Sequence, residues 1–150
     1  MSYKSQETNM RRLSELLSHE LSYVFGENES GPNGAKKTFL HVGKTFLRAL
    51  GKDLGLRDVK VHSNAGGIAV SGECWLYGLW DNGGICVCIS QPVCGRENVI
   101  LYRAIRDLRD FKGSYNRYFQ LHDLKTLSYE TLLSRFTTLK KEGISYERAA

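Results

Sequence analysis

The chain has 150 residues, 41% of them hydrophobic and 25% charged, and a formal net charge of +5. That size and balance suit one globular domain with a sizeable core. No run approaches the roughly 18 apolar residues of a membrane-spanning helix, so no such helix is expected; the basic excess is compatible with an anionic partner without requiring one.

The opening residues MSYKSQETNMRRL lack the apolar centre of a secretory signal. Cys74, Cys86, Cys88 and Cys94 are therefore expected as reduced thiols in the cytoplasm. Residues 8–25 predict an amphipathic helix, with Met10, Leu13, Leu17, Leu21 and Val24 on one stripe and Thr8 or Asn9 as its cap. GENESGPNGA, residues 26–35, predicts a linker. The domain reading is thus 1–35 as helix plus linker and 36–150 as a single α+β domain. The first helix is then an appendage, or packs on a partner or a second copy, which makes a homodimer one expectation.

Residues 36–54 predict a second helix through Phe39, Gly43, Phe46, Leu47, Leu50 and Leu54, stopped at Gly55. The period then changes. Residues 58–63 and 67–73 predict strands, and 73–90 predicts a hairpin around Asn82-Gly83 as a type I′ loop. That loop pairs Trp80 with Ile85, Gly78 with Val87 and Leu76 with Ile89. The opposite face carries Trp75, Tyr77, Leu79, Cys86 and Cys88. Both faces are apolar, so the second needs its own cover: the first helix, a subunit or a ligand. Residues 97–105 predict a further strand, and Ser128 caps a final helix over 129–141. The expected fold is α+β, a small antiparallel sheet of about four strands packed with helices, in the order α-α-β-β-β-β-α.

No P-loop, GxGxxG, HExxH or GxSxG spacing occurs. Cys86 and Cys88 sit mid-strand rather than on zinc-binding turns, so small buried hydrophobes are the favoured reading. No catalytic residue, metal or cofactor is expected. Asn64, Ser71, Glu73 and Arg103 are candidates for a polar pocket able to hold a nucleotide. The bland alternative is a buried Glu73–Arg103 pair that sets strand register.

Residues 102–119, YRAIRDLRDFKGSYNRYF, hold five cations against Asp107 and Asp110. Arg103 with Asp107, and Arg106 with Asp110, have i,i+4 spacing. Arginine forks suit phosphate or carboxylate and tyrosine offers a stacking face. The candidate contact residues are Arg106, Arg109, Lys112, Tyr115, Asn116, Arg117 and Tyr118. Their partner is nucleic acid, a nucleotide or an acidic protein surface, and the bland alternative is a solvated face whose rings, Phe111 and Phe119, go into the core.

The runs Ser63-Asn64-x-Gly-Gly-Ile-Ala-Val-Ser-Gly-Glu73, Leu101-Tyr102-Arg103 and Asp110-Phe-x-Gly-x-x-Asn116 resemble small accessory proteins of phages, plasmids and integrative conjugative elements. Related segments occur in the large polyvalent proteins of such elements. The resemblance covers about residues 36–140 and departs at Ser114, where a second glycine is expected. It implies action inside a bacterial host. By analogy it implies an anti-defence, anti-CRISPR-like protein that binds a host nucleic-acid-handling effector and blocks it without catalysis. The alternatives are a direct DNA- or RNA-binding accessory protein and a protein that sequesters a nucleotide signal.

Overall fold

The computed structural model describes residues 3–19, 21, 34–65, 72–91, 97–110 and 114–142. The described elements are α1 (Lys4–Leu17), α2 (Ala35–Asp53), β1 (Arg57–Asn64), β2 (Glu73–Leu79), β3 (Gly84–Ser90), β4 (Asn98–Ile105), β5 (Arg117–Gln120), α3 (Leu121–Thr126) and α4 (Tyr129–Glu142). The strands form one antiparallel sheet in the order β1-β2-β3-β4-β5. The fold is α+β as expected, with five strands rather than four. The added strand is β5, which begins inside the basic segment. The expected strand at 67–73 lies outside the described residues except for Gly72 and Glu73, and so do Ser71, Cys94, Lys112 and most of the 26–35 linker.

Alternation sorts the strand residues. Cys74, Leu76, Ile85, Val87, Ile89, Ile100, Tyr102, Ala104 and Phe119 share one face and are buried. The helices that pack on the sheet do so on this face. Helix α2 lies across β1 and β2. Helix α4 docks through Phe136, whose ring sits 4.8 Å from Tyr102 and 5.3 Å from Phe119.

Helix α1 starts earlier than the capping rule predicts. Thr8 and Asn9 are inside it, and the Thr8 hydroxyl donates to the Lys4 carbonyl, the mid-helix use of such a side chain. Met10, Leu13 and Leu17 are buried in the same core cluster as Phe46 and Tyr129. Gln6 Nε2 donates to the Phe46 carbonyl at 3.1 Å and Arg11 Nη1 to the Leu124 carbonyl at 3.0 Å. This helix covers other helices, not the second face of the sheet.

Gly43 lets α2 approach the sheet. A Cβ there would lie 2.6 Å from Cys74 Sγ. Gly43→Ala is therefore expected to destabilise the fold by about 1–3 kcal/mol despite alanine's better helix propensity. Cys74→Ala in the same chain should recover part of that loss, and urea unfolding of the four members of the cycle measures the coupling.

The hairpin register differs from expectation by two residues: Gly78 pairs with Ile85, Leu76 with Val87 and Cys74 with Ile89. The Trp80 N–H donates to the Gly83 carbonyl at 2.8 Å. Gly83 has φ 81°, whereas Asn82 is not in the left-handed region. A type I′ loop needs positive φ at both central residues, so Asn82-Gly83 cannot form one. The indole of Trp80 donates to the Leu54 carbonyl at 2.8 Å in the core. A slip of two preserves the faces, so the expected sidedness holds.

Candidate functional site

The second face of the sheet has no helix on it among the described elements. One row of cross-strand partners crosses all five strands: His62, Trp75, Cys88, Leu101, Tyr118. The next row is Lys60, Tyr77, Cys86, Arg103, and Arg103 donates to Oδ1 of Asn116, just before β5, at 3.2 Å. With strands about 4.8 Å apart, the first row spans roughly 19 Å.

Three rings at one end of these rows are almost parallel. Trp75 and Tyr77 have centroids 5.8 Å apart at 3°, His62 and Tyr77 5.7 Å at 10°, and His62 and Trp75 6.5 Å at 12°. His62 is exposed and the two larger rings are half-buried. At the other end Tyr118 is 46% exposed. Cys86 and Cys88 lie between them, only 4% and 6% exposed.

These thiols are unsuited to nucleophilic work. Burial pushes Cys86 up to about 12, against the pull of Arg103. Burial raises Cys88 further, with the Glu73 carboxylate adding to the effect. On the helix face, burial takes Cys74 up to about 12, opposed by Lys44. A group whose folded value is raised stabilises the fold fully below its unfolded value, here about 9, and loses that contribution as pH rises through the folded value. The midpoint of thermal unfolding is therefore expected to fall between pH 9 and 12, and less steeply in Cys86→Ala/Cys88→Ala; circular dichroism melts measure it. Among the described residues no group of three or more His, Cys, Asp or Glu side chains is placed to hold a metal ion.

The residues singled out in the sequence divide between locations. Asn64 and Glu73 are cross-strand partners. Arg103 is opposite Cys86, which is opposite Tyr77, so it lies two strands from Glu73 and four residues along. The expected Glu73–Arg103 pair is not formed. Arg103 Nη2 donates instead to the Ser114 carbonyl at 3.0 Å, and the Ser114 hydroxyl accepts from the Ala104 N–H at 3.2 Å. Arg103 is in a strand and Asp107 in a turn, so their helical spacing does not bring them together. Arg106 and Asp110 do meet, at 3.9 Å. Arg109 is exposed on that turn, and its backbone N–H donates to Asp107 Oδ1. Arg117 is opposite Tyr102 and so takes the helix-bearing side, whereas Tyr118 is opposite Leu101 on the open side. The contact residues expected as one group are thus split. Tyr118, Asn116 and the neighbouring Tyr115, 47% exposed, border the open face, and Arg106 and Arg109 sit beyond the end of β4.

The sequence predicts a second apolar sheet face in need of a cover but does not single out Lys60, His62, Trp75 and Tyr77 as its site. The available signal was the alternation of Trp75 and Tyr77 with Leu76. His62 could join them only once β1 was paired with β2. Comparison with protein-family models, with curated proteins and with solved structures finds no match.

Proposed function

We propose that this chain is a non-enzymatic binding protein that takes single-stranded nucleic acid on the open face of its sheet. The carrying observation is the set of three near-parallel rings, His62, Trp75 and Tyr77, with Lys60 and Arg103 in the adjoining row. Every base has a π-face to lay on such rings, and cations along the same surface neutralise the backbone. A duplex hides its base faces and cannot use them.

The two tryptophans provide the test. Trp75 lies on the open face, and Trp80 is buried with its N–H donated to Leu54. Single-stranded oligonucleotides should quench the fluorescence of Trp75, and duplexes of equal length should quench it far less. Log K should fall by about 0.7 for each phosphate neutralised per unit of log salt. Absence of quenching and of an anisotropy change with DNA and RNA single strands at low salt overturns the reading.

A second reading is the anti-defence role implied by the sequence resemblance, in which the same face occupies a host effector at a nucleic-acid site. Tyr115 and Tyr118, exposed beside the Arg103–Asn116 contact, favour it, because tyrosine and arginine dominate the centres of protein interfaces. It expects a direct complex with a CRISPR nuclease that inhibits the nuclease and that excess single strand displaces. Failure to form such a complex counts against it.

A further inference from the structure

Helix α2 carries a feature that the sheet face does not use. Lys37, His41, Lys44, Arg48 and Lys52 recur at intervals of three and four, forming one stripe opposite the buried Phe39, Phe46 and Leu50. The stripe is about 22 Å long. Lys37, His41, Arg48 and Lys52 are exposed and Lys44 partly so. None of the four Lys and Arg side chains has an ion-pair partner among the described residues. Helices α1 and α4 mix cations with Glu7, Glu15 and Glu130. The one acid of α2 is Asp53, which accepts the Tyr129 hydroxyl at 2.7 Å.

The stripe borders the sheet. A Cβ on Gly51 would touch Val59 at 3.3 Å, so α2 runs beside the edge strand β1. Lys44 is near enough to Cys74 of β2 for its charge to act on that thiol. Lys60 and His62, at the ring end of the open face, belong to the same edge strand.

Resting on the single-strand reading above, we infer that the α2 stripe is a phosphate track for the continuation of the same strand. The bases stack on the rings of β1 and β2, and the backbone then turns over the β1 edge onto α2. The track is mainly electrostatic, four of its five side chains being Lys or Arg, so it lengthens the site with little added sequence preference.

The probe is an oligothymidylate series, short enough at one end to cover only the sheet face and several times longer at the other. The variant is Lys37→Gln/Lys44→Gln/Arg48→Gln/Lys52→Gln, whose positions face solvent; its circular dichroism melt checks the fold. The expected result is unchanged affinity for the short oligomer, weaker binding of the long one, and a salt slope for the long one reduced by about 2–3, at roughly 0.7 per cation lost. Identical affinity and slope of parent and variant on the long oligomer overturns the track. Equal competition by a duplex of the same length also overturns it, by assigning the stripe to duplex phosphates. Failure of the parent to bind the short oligomer, with the long one still sensitive to the four substitutions, removes the ring platform and leaves the stripe standing alone as a phosphate site.

Discussion

Trp75→Ala/Tyr77→Ala is expected to weaken single-strand binding by about 30-fold or more while the chain stays folded. Base stacking on an aromatic side chain contributes about 1–3 kcal/mol per base. Removing both rings therefore costs about 2–6 kcal/mol, or roughly 30-fold at least in Kd. Both residues point away from the helix-covered core, and their inward neighbours Cys74, Leu76 and Gly78 keep their packing. Trp75→Phe/Tyr77→Phe keeps the π-faces and should bind within a few-fold of the parent. Fluorescence anisotropy with a labelled oligomer reads all three proteins. A folded double alanine variant that binds like the parent removes the platform from the mechanism.

Phe136→Ala is expected to give the largest loss of stability, about 3–5 kcal/mol, against the 5–15 kcal/mol typical of a whole domain. Phe136 is fully buried and meets Tyr102 and Phe119 edge-on, while those two rings stack at 5.2 Å. The Arg135 guanidinium lies 5.3 Å from the Phe119 ring on the same helix-to-strand contact. The cluster joins α4 to β4 and to the short edge strand β5, so its loss should loosen the strand that carries Tyr118. Urea unfolding measures the change. A loss under about 1 kcal/mol means that the cluster does not anchor β5.

Much of the fold was legible along the chain because helices and hairpins are local. The stripe from Phe39 to Leu54 and the positive φ of Gly55 bound α2 as expected. Ser128 accepts from the Thr131 N–H at the start of α4. The even-numbered residues of β2 face the core. The strand β5 was not legible: Arg117-Tyr-Phe-Gln is four residues long, and only pairing with β4 and burial of Phe119 make it a strand. Asn82-Gly83 does not set the register, because the hairpin closes on the Trp80–Gly83 hydrogen bond with Asn82 outside the left-handed region. The Glu73–Arg103 pair is not legible along the chain for a related reason: both residues are in strands, but their separation depends on where β3 pairs on either side.

By itself, the sequence determined the class of the fold, the sidedness of its strands and the presence of a second apolar face, because each follows from the period of side chains along one element. The tertiary structure decided which residues share that face. It joined His62 to Trp75 and Tyr77, moved Arg103 away from Glu73 to Ser114 and Asn116, and parted Arg117 from Tyr118. Cross-strand register brings together residues distant in the chain, and no local period records it.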